Sequence, residues 1–223
     1  MSVPPFRLSG HVYAALLNHP GEVVALGAAA QQPPYKAPPQ APVLTVRPRN
    51  ALRWMGDEPV SVPHGVPQLA VHANLAIVIG RAACRVPVAQ ALQWVAGYTL
   101  ALDLRVPHES HYRPALRFMA RDGFCTLGPR VVPASELPQP DAAPLQLLLD
   151  GAPVQDTTTA GRTRGVAQLL ADVTDFMTLQ AGDVLLLGSS PGAPLVAAGQ
   201  TVSVRNAILG GLDVRLAAEA VAA

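Results

Sequence analysis

The chain has 223 residues, of which 50% are hydrophobic and 14% charged, so it has enough apolar material for one sizeable core. Its formal net charge is +1, which argues against nucleic acid as a partner, because such binding normally needs a strongly basic face. Its apolar runs are too short for a membrane span, residues 1–9 lack the features of a signal peptide, and Cys84 and Cys125 are the only cysteines. We therefore expect a cytoplasmic protein without disulfides that binds neither nucleic acid nor membrane.

Short strands and proline-rich turns dominate the first half of the chain. Residues 11–18 predict a strand, whereas residues 20–30 fit either a hairpin return or a short helix. The proline-rich run 31–42 predicts an extended connector. The β-branched run 69–80 (LAVHANLAIVIG), closed by a glycine, is the clearest strand.

The second half alternates strands with two predicted helices. Residues 87–96 start at a proline, show helical spacing and precede Gly97, so they predict a helix. Residues 165–179 predict an amphipathic helix, and Asp150-Gly151 predicts a hairpin turn. The pattern indicates a mostly β, α+β fold. We divide the chain into an N-terminal strand with its proline-rich connector, 1–42, and one compact domain, 43–223.

Charged side chains concentrate between Gly97 and Pro129. Glu109 lies among arginines and histidines, which suits either proton transfer or a plain ion pair. Guanidinium groups suit carboxylates, so the arginines predict either a site for a di- or tricarboxylate or a set of internal salt bridges. These arginines are Arg47, Arg49, Arg105, Arg113, Arg117 and Arg121.

Two motifs that often mark hydrolases do not hold here. The run 188–192 matches G-x-S-x-G, but Pro191 has no N–H for an oxyanion hole and no histidine follows residue 111. His108 and His111 are three residues apart, whereas a helical zinc motif needs four.

A metal site is a weaker possibility on the clearest strand. His72 and Asn74 point to the same side of that strand, and Asp103 follows on the next element. One carboxylate, one amide and one imidazole form a poor cage for Mg²⁺, which prefers carboxylates. The alternative is a hydrogen-bonded strand end.

The order of four motifs resembles the fumarylacetoacetate hydrolase superfamily. They are LAIVIGR (75–81), GYTLALD (97–103), RDGFC-x-x-GP (121–129) and L-x-x-GDV-x-x-x-G (179–188). A closer likeness is to the N-terminal half of the bifunctional decarboxylase/isomerases of 4-hydroxyphenylacetate (homoprotocatechuate) catabolism. It is carried by LNHP (17–20), QQPPYKAPP (31–39), RPRN (47–50) and P-x-ES-x-YRPA (107–115).

The resemblance implies a mixed β-sheet roll with a few short helices and a 2-oxo acid substrate with two or three carboxylates. The implied substrate is 5-oxopent-3-ene-1,2,5-tricarboxylate, and the products are 2-hydroxyhepta-2,4-diene-1,7-dioate and its keto isomer. The family uses Mg²⁺ or Mn²⁺ on a Glu-x-Glu motif and an Asp, with a lysine nearby. Those positions are here His72, Asn74 and Asp103, and the lysine position is Met119, so we expect a metal-poor site that holds no ion or holds it weakly.

The resemblance also suggests roles for individual residues. Arg113 and Arg121 would hold carboxylates, and Glu109 or His111 would transfer protons. Further substrate contacts are expected from Arg47, Tyr112, Asp122 and Ser189. The chain is expected to form a homodimer or to pair with a C-terminal-type subunit. The alternatives are a non-catalytic partner of such a subunit and another hydrolase or decarboxylase of 2-oxo acids in this superfamily.

Overall fold

The computed structural model describes residues 10–56, 58–108 and 115–220. In these ranges the chain forms three α-helices: α1 (Pro20–Leu26), α2 (Leu116–Met119) and α3 (Val166–Phe176). Shorter 3₁₀ helices cover Gly27–Gln31, Arg49–Ala51, Val88–Trp94, Ala134–Glu136 and Pro140–Ala142. The strands are β1 (Val12–Leu16), β2 (Val43–Arg47), β3 (Leu52–Trp54), β4 (Val60–Val62), β5 (Leu69–Ile79), β6 (Val95–Arg105), β7 (Cys125–Leu127), β8 (Val132–Pro133), β9 (Pro144–Leu149), β10 (Ala152–Thr158), β11 (Val184–Leu186), β12 (Leu195–Val196), β13 (Thr201–Asn206) and β14 (Gly210–Ala218).

These strands build two mixed sheets. The nine-stranded sheet has the order β2-β1-β11-β5-β6-β7-β3, with β12 paired to β5 and β8 paired to β6. The five-stranded sheet has the order β10-β9-β13-β14-β4. The predicted mostly β, α+β architecture is confirmed. No helix within the described ranges has the length and apolar character needed to cross a membrane.

The nine-stranded sheet curls until its two edges approach each other. Its edge strands, β2 and β3, are joined by the short segment 48–51, so the chain itself links the two edges. The concave face carries small buried side chains such as Ala14, Ala76 and Ala101, which leave room for the tight curvature. This curl brings residues from distant strands together at one end of the concave face.

The main core lies on the other face of that sheet. Side chains of both sheets and of α3 form one continuous buried cluster. In α3 the buried stripe is Val166, Leu169, Leu170 and Val173. The predicted helix, 165–179, is too long at its C-terminal end, because α3 ends at Phe176, which is 61% exposed.

The structure settles the two uncertain segments of the sequence. Residues 20–30 form α1 followed by a 3₁₀ turn, so the helical alternative is correct. The predicted helix at 87–96 is a 3₁₀ helix, and Gly97 lies inside β6 instead of ending a helix. A Cβ atom at Gly97 would lie 2.2 Å from the carbonyl oxygen of Val132, so the close approach of β8 requires glycine there. The division of the chain at residue 42 stays a prediction, although β1 shares a sheet with strands from beyond that point.

Candidate active site

The candidate site lies where the first residues of β5 face the last residues of β6. His72 is the direct antiparallel partner of Asp103, and Ala70 is the partner of Arg105. Side chains alternate along a strand, so Asn74 projects from the same face as His72. An imidazole, an amide, a carboxylate and a guanidinium group therefore meet on the concave face of the curled sheet.

Asp103 is held by two arginines. Arg47 donates Nε to Oδ1 and Nη2 to Oδ2 of Asp103, each at 2.7 Å. Arg105 donates Nε and Nη2 to Oδ2, at 2.9 and 2.8 Å. All three residues are buried. Such a charge-assisted, two-pronged contact fixes the carboxylate in position.

The charge state of Asp103 follows from these contacts. Burial alone would raise the pKa of its carboxyl group, but Arg47 and Arg105 outweigh that effect and hold the pKa below its ordinary value. Asp103 is therefore ionised throughout the working range of pH. The side chain of Arg47 has no exposed surface and holds Asp103, so its predicted contact with substrate gains no support from this arrangement and stays a prediction.

His72 and Asn74 are tied to the loop that follows β11. The loop runs beside β5 because β11 and β12 both pair with that strand. His72 Nδ1 lies 3.0 Å from Ser189 Oγ, and Asn74 Oδ1 accepts the N–H of Gly188 at 2.9 Å. Burial first, and Arg105 second, lower the pKa of His72 well below its ordinary value, so this imidazole is neutral. A histidine with so low a pKa is a poor base for Ser189.

A cavity of about 230 Å³ opens beside this cluster. Its polar lining comes from Glu22, His72, Arg105 and His108, and the rest of its lining is apolar. The ring of His108 stacks on that of Phe118, with the ring centres 5.2 Å apart. A carboxyl group, two imidazoles and a guanidinium group in one apolar cavity can bind a small anion and move a proton within it.

Glu22 was not predicted from the sequence. It lies in the first turn of α1, where the N–H of Glu22 bonds to the carbonyl oxygen of His19 at 2.9 Å. The buried Asn18 fixes the chain just before α1, because its Nδ2 donates to the carbonyl oxygens of Leu187 and Arg164. The Oε2 atom of Glu22 is buried and has no hydrogen-bond partner among the described residues.

The environment of Glu22 makes it a candidate acid or base. Burial, the largest contribution, raises the pKa of its carboxyl group, and the neighbouring Arg105 and Arg162 oppose that rise. A carboxyl group with a raised pKa exchanges its proton closer to neutral pH than an exposed one does. Glu22 is also one of the residues that line the cavity. The only signal in the sequence was a lone glutamate in the segment 20–30, whose structure the pattern did not decide.

Arg162, which also acts electrostatically on Glu22, shapes the serine-containing loop. It donates Nε to the carbonyl oxygen of Gly188 and Nη2 to Ser190 Oγ, both at 3.2 Å. Gln155 holds the next residues of the same loop through the carbonyl oxygens of Pro191 and Gly192. These hydrogen bonds hold the loop in place beside Ser189, and Pro191 still denies it the N–H that a nucleophile turn needs.

Four predicted site residues, Glu109, His111, Tyr112 and Arg113, lie outside the described residues. The described chain stops at His108, which lines the cavity, and resumes at Ala115. Their roles stay predictions.

Arg121 and Asp122 are not brought to this cavity. They line a separate cavity of about 700 Å³, and none of the described residues that line it also line the first one. Asp122 accepts a hydrogen bond from Asn50 Nδ2 at 2.7 Å, and Arg121 Nε donates to the carbonyl oxygen of Arg117 at 3.3 Å. The placement gives no support to a role for Arg121 and Asp122 in the chemistry beside His72.

Comparison with known proteins decides the family. The sequence profile of the fumarylacetoacetate (FAA) hydrolase C-terminal family matches residues 11–217. The chain belongs to the fumarylacetoacetate hydrolase family. It is 37% identical over 197 residues to the 4-hydroxyphenylacetate degradation bifunctional isomerase/decarboxylase of Escherichia coli. That match covers 88% of this chain but 44% of the E. coli protein, so the chain spans less than half the length of this relative. Such homology supports an enzyme of this family.

Solved structures agree with this assignment. The 5-carboxymethyl-2-hydroxymuconate delta-isomerase of Mycobacterium smegmatis superimposes with a TM-score of 0.78 and 26% identity, covering 96% of this chain and 81% of that one. Fumarylpyruvate hydrolase from Pseudomonas aeruginosa, solved with Mn²⁺ and pyruvate, gives a TM-score of 0.80 at 24% identity, covering 94% of this chain and 90% of that one. The second likeness shows the shared fold alone.

The residues at the positions that the sequence analysis assigned to a metal do not fit a divalent cation in their present contacts. Both oxygens of Asp103 accept guanidinium N–H groups, and Asn74 Oδ1 accepts a backbone N–H. The two guanidinium groups also repel a cation at this position. Within the described ranges, no three His, Cys, Asp or Glu side chains are grouped to share a metal. We therefore assign His72, Asn74 and Asp103 to a hydrogen-bonded, ion-paired cluster and not to the metal site that the sequence allowed.

Proposed function

We propose that this chain is a subunit of a decarboxylase/isomerase of 4-hydroxyphenylacetate catabolism, with a metal-poor site. Its ligands would be 5-oxopent-3-ene-1,2,5-tricarboxylate and 2-hydroxyhepta-2,4-diene-1,7-dioate. The observation that carries the proposal is the carboxyl group of Glu22, which has one buried oxygen without a hydrogen-bond partner among the described residues and belongs to a residue that lines the same cavity as Arg105. The identity to the E. coli isomerase/decarboxylase supports the pathway.

Isomerisation is the step that this geometry supports best. Converting the 2-hydroxydiene to its keto isomer removes a proton from the 2-hydroxyl group and adds a proton to a carbon of the diene. The intermediate dienolate carries a negative charge, which the Arg105 guanidinium group would stabilise. Glu22 would accept the first proton and deliver the second, because its raised pKa suits both directions of transfer.

Decarboxylation needs the same cation. When CO₂ leaves, the electron pair of the broken carbon–carbon bond moves into the conjugated system and ends on the 2-oxo oxygen. Arg105 would stabilise that oxygen, and protonation completes the reaction. Glu109, His111 and Arg113 remain proposed contributors to proton transfer and carboxylate binding.

The second candidate is a non-catalytic subunit that supports a C-terminal-type subunit with an intact metal motif. It is favoured by the contacts of His72, Asn74 and Asp103, whose polar atoms are already engaged with protein groups. In either case we propose a cytoplasmic homodimer or a heteromer with that subunit.

One assay separates the candidates. The purified chain is given each substrate in EDTA, and the mixture with the C-terminal-type subunit is assayed in Mn²⁺ beside that subunit alone. The conjugated diene is followed by its ultraviolet absorbance. Turnover by the chain alone supports an enzyme of its own, and Glu22→Gln should then lower the rate at least about 100-fold. Glu136→Gln, at an exposed position far from the cavity, is the matched control. Turnover only in the mixture, unaffected by Glu22→Gln, supports the non-catalytic role.

A further inference from the structure

We infer that Arg47, Asp103 and Arg105 form a fixed cationic cluster that binds the carboxylate of a 2-oxo acid without a metal ion. The cluster occupies the position where the family motif would hold a divalent cation. This inference rests on the proposed function only for the chemical class of the ligand.

The charge balance of the cluster favours an anion. Asp103 is ionised and contributes one negative charge, whereas Arg47 and Arg105 each carry a positive charge at any ordinary pH. The cluster therefore has a net positive charge. Asp103 is 0% exposed, Arg47 2% and Arg105 4%. A buried excess charge is costly unless an opposite charge lies beside it. A bound carboxylate or enolate would supply that charge.

The two arginines have different tasks. The side chain of Arg47 is completely buried, so it positions Asp103 and cannot reach a ligand. Arg105 lines the cavity and directs Nε and Nη2 to Asp103. Its Nη1 makes no hydrogen bond to a described residue. Arg105 is thus the cation that faces the ligand, held in one orientation by Asp103.

Met119 stands at the position that the resemblance gives to the family's lysine. Its Sδ lies 3.5 Å from Nη1 of Arg47, and Met119 is 2% exposed. A lysine ammonium group there would place a third positive charge against Arg47 in a buried site. The thioether is neutral and accepts the N–H weakly. Positive charge can therefore be placed here in two ways. One uses a metal ion and a lysine, and the other uses two arginines beside a methionine.

Binding of a simple 2-oxo dicarboxylate tests the inference without turnover. We would titrate 2-oxoglutarate into the full chain by calorimetry, once in EDTA and once with Mn²⁺. The dissociation constants in EDTA and in Mn²⁺ should agree within about twofold. If a metal ion took part in binding 2-oxoglutarate, the two values would differ by far more. Electron paramagnetic resonance of added Mn²⁺ should show that the ion stays free.

Variants assign the binding to Arg105. Arg105→Met should weaken the binding at least about tenfold, because a charge-assisted contact is lost. Arg130→Met is the matched control, since Arg130 is exposed and donates to the carbonyl oxygen of Ile208 far from the cavity. Arg105→Lys keeps the positive charge but loses the planar guanidinium group, and it should weaken binding less than Arg105→Met. If Arg105→Met does not fold, two measurements still test the inference. They are the affinity of Arg105→Lys and the affinity of the wild-type chain in EDTA and in Mn²⁺.

Four results would overturn the inference: loss of binding in EDTA, stoichiometric binding of Mn²⁺, wild-type affinity in both Arg105 variants, or no binding of the probe in either buffer. Metal-free binding of 2-oxoglutarate by a chain that converts neither proposed substrate would keep this inference and refute the proposed function.

Discussion

Arg47 and Asp103 lie 56 positions apart in the chain, yet two parallel N–H···O contacts of 2.7 Å join them. In the sheet order, β1, β11 and β5 separate the strands that carry these two residues. The contact is possible because the sheet curls and the segment 48–51 carries the chain from one edge to the other. One ion pair therefore both closes the concave face and sets the charge of the candidate site.

Asp103→Asn should destabilise the fold strongly. The substitution leaves two buried guanidinium groups without their counter-charge, which typically costs about 3–5 kcal/mol. Urea denaturation of the two proteins measures the difference in the free energy of unfolding. Asp213→Asn is the control, because the Asp213–Arg205 pair is half exposed and should contribute at most about 1 kcal/mol. Equal losses in the two variants would contradict the structural role of Asp103.

Met119→Lys should also destabilise the protein, by more than about 2 kcal/mol, because it adds a third buried cation to Arg47 and Arg105. Met119→Leu preserves volume and should cost less than about 1.5 kcal/mol. The same denaturation experiment compares them. A lysine variant as stable as the leucine variant would mean that the cluster tolerates further positive charge.

Glu22→Gln should make the protein more stable at pH 7 while it reduces activity. The folded-state pKa of Glu22 is raised, so the folded protein binds this proton more tightly than the unfolded chain does. Stability from this group is therefore largest at low pH and is lost as the pH rises from the ordinary glutamate value, about 4.3, through the raised folded value. Glutamine has no charge to bury, so its advantage should appear in that window and vanish below it. Unfolding curves from pH 4 to pH 8 measure this difference, with Glu136→Gln as the control. A gain in the free energy of unfolding of Glu22→Gln that did not change with pH would contradict the prediction.

Much of the fold could be predicted from local patterns. The run 69–80, the Asp150-Gly151 turn and the helix near 165–179 depend on alternation, turn chemistry and helical spacing, which act within a few residues. The segment 87–96 was predicted as an α-helix because apolar spacing does not distinguish it from a short 3₁₀ helix. Its length is limited by β6, which begins at Val95.

The site could be predicted only in part, because its contacts join distant strands. His72, Asn74 and Asp103 were found because strand periodicity places them on one face. The ion-paired state of Asp103 was not predicted, because it depends on Arg47, which reaches Asp103 only through the curl of the sheet. Glu22 was missed for a similar reason: a single glutamate in a short helix has no pattern of its own, and its unpaired oxygen is visible only in three dimensions.

The most direct test of the account is the initial rate of ketonisation of 2-hydroxyhepta-2,4-diene-1,7-dioate by the purified chain in EDTA. We predict turnover that added Mn²⁺ does not increase and that Glu22→Gln lowers at least about 100-fold, while Glu136→Gln leaves it unchanged. Activity that appears only with metal, or that survives Glu22→Gln, would contradict a metal-free site in which Glu22 moves the proton and Arg105 stabilises the dienolate.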